Sequence, residues 1–168
     1  MLNMPSVMPV YYCRIESPVG RLLLAATERG LRFIYFDQAT LPAPGKGEVW
    51  IEDAAMLQPY REQLTAYFQG KLRQFTCKLD LVGTEFQKKC WKALLRIPYG
   101  QTCSYADIAR QVGKPRASRA VGQANHHNPI PIIVPCHRVI TSSGGLGGYG
   151  GGLAVKEKLL HIEQARLF

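Results

Sequence analysis

The sequence predicts an α+β protein in two parts: a small N-terminal antiparallel sheet with one helix, then a mainly helical C-terminal half. Three observations predict it. Short runs of β-forming residues separated by turn residues fill the first part as far as Phe36. A single stretch from Leu57 to Phe68 carries apolar residues at helical spacing. Beyond Gly83, helix start and stop residues take over from strand signals.

In chain order, Val10–Glu16, Arg21–Ala26 and Leu31–Phe36 are the strand candidates. Ser17-Pro-Val-Gly20 and Thr27-Glu-Arg-Gly30 punctuate them, so an antiparallel meander is expected. Asp37–Val49 holds Pro42, Pro44, Gly45 and Gly47 and reads as a surface loop. Leu57, Tyr60, Leu64, Tyr67 and Phe68 then form an amphipathic helix that Gly70 stops, its aromatics serving as core. Phe75–Leu81 is a further strand candidate, and the boundary between the two parts falls at residues 82 and 83.

The second half opens with Thr84 and Gln87, a capping box in which each side chain satisfies a free amide at a helix start. Phe86, Cys90, Leu94 and Ile97 mark its buried stripe, and Lys88, Lys89 and Lys92 its solvated side. Ser104 caps the next helix, Tyr105–Val112; Gly113 follows as a terminator and Lys114-Pro115 opens Arg116–Ala124. Two short helices joined by a glycine-containing turn make a helix-turn-helix candidate. In the second of them, Ala117, Ala120, Val121 and Ala124 form a stripe suited to close packing, while Arg116, Arg119 and Gln123 share the other side. The plain alternative is a solvated basic face. The sharper one is contact with nucleic acid, because Ser118 and Gly122 keep the surface low. The last helix, Leu153–Gln164, buries Val155, Leu159 and Ile162.

Charge supports the sharper alternative. Lys and Arg number 21 against 12 Asp and Glu, a formal +9, which suits a polyanionic partner. The 5 cysteines (Cys13, Cys77, Cys90, Cys103, Cys136) show no paired spacing and no zinc pattern, so a reduced, cytoplasmic protein is expected. Residues 1–10 lack a basic region and carry Pro5 and Pro9, so no secretory signal is expected, and no stretch is long enough for a membrane span.

One stretch carries the chemistry: Asn128-Pro-Ile-Pro-Ile-Ile-Val-Pro-Cys-His-Arg-Val-Ile140. Three prolines stiffen an apolar, extended approach to Cys136. A thiolate is the nucleophilic form, and a neighbouring base or cation favours it; His137 and Arg138 offer both. Neighbours in an extended segment point apart, so a relay through water is favoured over a direct Cys136–His137 bond. Glu163 lies near the apolar face at a helix C-terminus, where negative charge is disfavoured. It either orients His137, completing a Cys-His-Glu relay, or is a partly exposed helix-end residue. The glycine-rich segment 142–152 lacks the G-x-x-x-x-G-K-[ST] phosphate pattern and reads as a flexible loop presenting Tyr149 beside the nucleophile.

Pro135-Cys-His-Arg-Val139 resembles the active-site signature of the O6-alkylguanine-DNA alkyltransferases. The likeness extends through Gly83-Thr-x-Phe-Gln87, Trp91, Ser104-Tyr105, Ala117-x-Arg-Ala-Val-Gly122, Asn128-Pro129, Gly147-Gly-Tyr-x-Gly151 and Lys156-x-x-x-Leu160 with Glu163. Ser17-Pro-x-Gly20 matches the N-terminal part more loosely. The resemblance implies an α/β, ribonuclease H-like supporting domain over residues 1–82 and a DNA-binding, alkyl-acceptor domain over 83–168. It implies repair of O6-alkylguanine, and less efficiently O4-alkylthymine, in double-stranded DNA, by irreversible transfer to Cys136. His137 would act through water, Glu163 would complete the relay and Asn128 would brace the turn. Arg119 would fill the gap left by an everted nucleotide, and Tyr105 would rotate the phosphate and bond the base. Arg116, Ala120 and Gln123 would join them on DNA, in the minor groove. Pro131 and Tyr149 would wall the pocket, and the carbonyls of Cys136 and Val139 would read the guanine amino group. Gly150 stands where some relatives have serine, so only its backbone amide could reach O6. No metal or cofactor is implied, and a monomer is expected. Two other classes compete: a DNA-binding module without transfer chemistry, and a Cys-His-Glu hydrolase.

Overall fold

The computed structural model describes residues 6–36 and 40–165. The first residues of the Asp37–Val49 loop and of the N-terminal segment lie outside that range. The chain forms two compact units. One runs through Leu72 and takes back Thr76–Asp80, and the other takes Arg73–Phe75 and continues from Leu81.

The first unit holds the expected meander: β1 (Met8–Ile15), β2 (Leu22–Thr27) and β3 (Gly30–Phe36). Each pairs antiparallel with the next, with Cys13 opposite Leu24 and Leu24 opposite Ile34. All six residues of β2 are buried, as suits a central strand covered on both faces. A fourth strand, β4 (Glu48–Glu52), pairs parallel to β1 and gives the order β3-β2-β1-β4. The sequence did not announce it, because Val49-Trp50-Ile51 sits between two glutamates directly after a glycine-proline loop. Conversely, Phe75–Leu81 forms no strand. It makes one bridge, Leu31 to Leu79, where the Lys78 carbonyl accepts from the Leu31 N–H at 2.9 Å. Gly30 permits this approach, since a Cβ there would stand 2.6 Å from the Lys78 carbonyl oxygen. Helix α1 (Gln58–Phe68) buries Leu64 and Tyr67, and Leu57 packs just before it.

The second unit is helical. Helix α2 (Glu85–Leu94) begins at the Thr84–Gln87 capping box, with bonds of 3.1 and 2.9 Å. Its Cys90, Trp91 and Leu94 are buried. The Trp91 indole N–H donates to the Ala124 carbonyl at 2.9 Å, pinning α2 to α4 (Ser118–His126). Helix α3 (Tyr105–Gln111) starts at a second capping box, Ser104 with Asp107. Between α3 and α4 the Ala117 N–H donates to the Lys114 carbonyl at 2.9 Å. That turn delays the helix to Ser118, two residues beyond the expected start. A two-residue parallel pair, β5 (Cys103–Ser104) with β6 (Val139–Ile140), brings the base of α3 beside the Cys136 segment. Helix α5 (Leu153–Ile162) closes the described chain. Among the described residues, no helix is long and apolar enough to cross a membrane.

Candidate active site

The chain from Ile130 to Ile140 is buried throughout. It is not extended at the cysteine, as the prolines suggested. Cys136–Arg138 winds into one 3-10 turn. Before it, Ile132 adopts φ 75°, a left-handed conformation that a β-branched residue rarely takes. Holding such a residue there costs on the order of 1–3 kcal/mol. Asn128 supplies the brace. Its amide donates to the Val134 carbonyl at 2.8 Å and to Cys136 Sγ at 3.1 Å, and its Oδ1 accepts from the Ile130 N–H at 3.0 Å.

Behind the sulfur lies a buried ionic cluster. Glu163 caps the end of α5 and is 3% exposed, not a surface residue. Its Oε1 lies 2.7 Å from His137 Nε2, and Arg138 donates to the same carboxylate through Nε at 2.9 Å and Nη2 at 2.8 Å. Arg138 Nη1 donates to the Ile97 carbonyl at 2.7 Å. The arginine therefore serves Glu163 and not the thiol, contrary to the expectation from adjacency. Burial alone would raise the Glu163 carboxyl, but hydrogen bonds from His137 and Arg138 outweigh it and bring it down to about 2. Burial keeps the His137 imidazole below its ordinary value, against the pull of the carboxylate. It is then neutral at pH 7, with the proton on Nε2, where Glu163 accepts it. His137 Nδ1 is left as the unprotonated nitrogen, buried and without a hydrogen-bond partner among the described residues.

The cation that acts on the thiol is Lys156. Its side chain is buried in α5, and Nζ donates to the carbonyls of Val139 at 2.7 Å and Gly148 at 3.3 Å, and also to that of Leu146. Burial lowers this ammonium to about 8. Burial pushes the Cys136 thiol up to about 11, and the Asn128 amide and Lys156 pull against it. Lys156 also ties the glycine-rich loop to the Cys136 turn, so the loop is anchored at Leu146 and Gly148 and not simply a tether for Tyr149. The sequence signal for it was a lysine lying between Val155 and Leu159 on the apolar side of α5.

Cys136 opens onto a cavity of about 390 Å³. Tyr105 lines it from α3, Gly122, Gln123, Asn125 and His126 from α4, and Gly148, Tyr149 and Gly150 from the loop. Gly147 has φ +72°, and a Cβ there would stand 2.9 Å from the Tyr105 hydroxyl, so only glycine lets the loop close against that ring. Cys136, Tyr105, Gln123, Tyr149 and Gly150 are thus brought together. Pro131 and Val139 are buried and do not line the cavity, and neither do Asn128, His137 and Glu163. Arg116, Arg119 and Ala120 are exposed at and beside the start of α4. Ala120 is thereby moved out of the packed stripe, which consists of Val121 and Ala124. Among the described residues, no group of three His, Cys, Asp or Glu is placed to hold a metal.

Residues 10–81 match the family described as 6-O-methylguanine DNA methyltransferase, ribonuclease-like domain, and residues 85–165 match its DNA binding domain. The chain belongs to the 6-O-methylguanine DNA methyltransferase family. Among relatives, a methylated-DNA–protein-cysteine methyltransferase of Methanosarcina barkeri is 51% identical over 162 residues, covering 94% of this chain and 99% of that protein. One of Mycobacterium tuberculosis is 50% identical, with 94% of each chain covered. The crystal structure of Mycobacterium tuberculosis O6-methylguanine methyltransferase superposes with a TM-score of 0.84 at 50% identity, over 92% of this chain and 93% of that one. That of Mycobacterium tuberculosis OGT in complex with DNA gives 0.83 at 49% identity, over 92% of each. Sequence reasoning passed over two residues here, the buried Lys156 and the cavity-lining Asn125.

Proposed function

We propose that this protein repairs DNA by direct reversal, moving an alkyl group from O6 of guanine, and less efficiently from O4 of thymine, onto Cys136 in a single turnover. One observation carries the reading: the acceptor sulfur and the second helix of the helix-turn-helix share a cavity. A sulfur below that helix can meet a nucleotide only if the base leaves its stack, which costs about a few kcal/mol. The cavity size lies within the roughly 300–1,000 Å³ of ordinary ligand pockets.

Chemically, the thiol proton passes to His137 Nδ1 through a bridging water, with Glu163 holding the ring by Nε2. The sulfur then attacks the alkyl carbon, the C–S bond forms, and the carbon–O6 bond breaks with its electron pair on the guanine. The guanine takes its proton from the Tyr105 hydroxyl, which is replenished through solvent by the proton left on His137, so charge balances. Tyr105 is the donor beside the base, and electrostatic help to the leaving group is of the oxyanion-hole kind. The product is a thioether, so each molecule acts once. Residues 83–168 do this work and residues 1–82 support them.

Exposed Arg116, Arg119, Ala120 and Gln123 support docking of α4 in the minor groove, where the small Ala120 permits close approach. Arg119 occupies the gap left in the duplex. The five cysteines, free among the described residues, support a reducing, cytoplasmic setting.

The test is to incubate the protein with duplex DNA containing O6-methylguanine and map the mass gain by peptide. A methyl gain at Cys136, abolished in Cys136→Ala while DNA binding persists, is expected. Binding with no gain would make the chain a recognition module, and repeated turnover of an acyl substrate would make it a hydrolase.

A further inference from the structure

Asn125 lies on α4 and lines the Cys136 cavity. Its Nδ2 and Oδ1 are both buried, and neither meets a hydrogen-bond partner among the described residues. Three residues on, the Asn128 carboxamide shows the contrast, with both of its polar atoms paired within the fold. An unsatisfied buried polar group costs about 1–3 kcal/mol, so an apolar residue of similar size would serve the fold better at position 125. A carboxamide left unpaired beside a cavity calls for a partner, and a ligand entering that cavity can supply one. The neighbouring loop adds weight, since Gly148 and Gly150 line the same cavity and bring no side chain to it.

We propose that Asn125 is a specificity-determining residue that hydrogen-bonds the everted base, an inference that rests on the cavity being the base pocket. A carboxamide both donates and accepts. Guanine alkylated at O6 offers ring-nitrogen acceptors and an exocyclic amino donor, so Nδ2 donates to a ring nitrogen and Oδ1 accepts from the amino group. O4-alkylthymine has no amino group and can satisfy only the donor. Asn125 therefore favours the guanine lesion over the thymine lesion.

The test compares wild type with Asn125→Leu, using Asn125→Ala as a second variant should the first fold poorly. Single-turnover transfer is measured from duplexes bearing O6-methylguanine or O4-methylthymine, beside DNA affinity, Cys136 reactivity toward iodoacetamide and the thermal midpoint. On the guanine lesion, transfer should fall about tenfold, the worth of roughly one to two hydrogen bonds. The loss should be smaller on the thymine lesion. Affinity for undamaged DNA and iodoacetamide reactivity should hold, and the midpoint of Asn125→Leu should stay level or rise. An unchanged guanine rate, equal losses on both lesions, or a parallel loss of iodoacetamide reactivity would overturn the proposal. Failure of the wild type to transfer from either duplex would instead overturn the function on which it rests.

Discussion

Arg138 and Glu163 form a bidentate pair, Nε to Oε2 at 2.9 Å and Nη2 to Oε1 at 2.8 Å, with both side chains buried. The arginine fixes the carboxylate, and the carboxylate fixes the His137 ring. Glu163→Gln keeps the shape and removes the charge, leaving the guanidinium buried with a neutral partner. Breaking such a pair costs about 3 kcal/mol, and this should appear in denaturant unfolding. The acid side offers a sharper check. The Glu163 carboxyl is lowered to about 2, against roughly 4.3 in an unfolded chain. Its stabilisation is therefore complete above about pH 4.3 and is lost as pH falls toward 2. In Glu163→Gln this part of the acid slope should vanish, and an unaltered slope would show that other groups set it.

His137 is held below its ordinary value by burial. As a general base it works only when neutral, so the acid limb of the transfer rate should lie below the roughly 6.5 of a free histidine. Single-turnover rates measured between pH 5 and 7.5 should locate that limb. A limb centred at or above 6.5 would mean that the titrating base is another group.

Much of this site was legible because local chemistry is written locally. Thr84 with Gln87 and Ser104 with its following helix marked helix starts that hold in the fold, since a capping box is satisfied within four residues. Cys136 and His137 stand side by side in the chain. Partnerships that span long separations left weaker traces. Arg138 was read by adjacency as serving Cys136, yet its partner is 25 residues away. The parallel pairing of β4 with β1 was equally hidden, because a short apolar triplet between glutamates gives no period to read. Asn125 gave no sign at all, since an unpaired carboxamide becomes informative only once its surroundings are known.

Asn128 braces a turn that contains the left-handed Ile132. Its side chain makes three hydrogen bonds, one of them to the reactive sulfur. Asn128→Ala removes all three at about 1 kcal/mol each, so roughly 2–3 kcal/mol of stability should be lost. The amide also pulls the Cys136 thiol down, so its loss should shift iodoacetamide reactivity toward higher pH. A destabilised variant with an unmoved thiol profile would confine Asn128 to a structural role.

Lys156 joins α5 to the Val139, Leu146 and Gly148 carbonyls from a buried position. Lys156→Met keeps the aliphatic length but strands those carbonyls, which should cost about 3 kcal/mol. Amide hydrogen exchange should accelerate across residues 144–150, and Cys136 should react more slowly with iodoacetamide near neutral pH, because its nearby cation is gone. Faster loop exchange with unchanged thiol reactivity would leave Lys156 an anchor only.

Arg116 and Arg119 are both exposed at the second helix of the helix-turn-helix, yet different tasks are assigned to them. A phosphate contact contributes to affinity through released counterions, so Arg116→Ala should weaken binding to any duplex and reduce the salt slope by about 1. A residue that fills the gap beneath an everted nucleotide is needed only when the target lies in a stack. Arg119→Ala should therefore slow repair of O6-methylguanine in duplex DNA by about tenfold or more, while transfer from the free alkylated base stays near wild type. Melting the target into single-stranded DNA should recover part of the loss, because less unstacking then remains to be offset. Equal losses with duplex and free base would place Arg119 in the alkyl-transfer step, and a loss confined to the salt slope would make it a second phosphate contact.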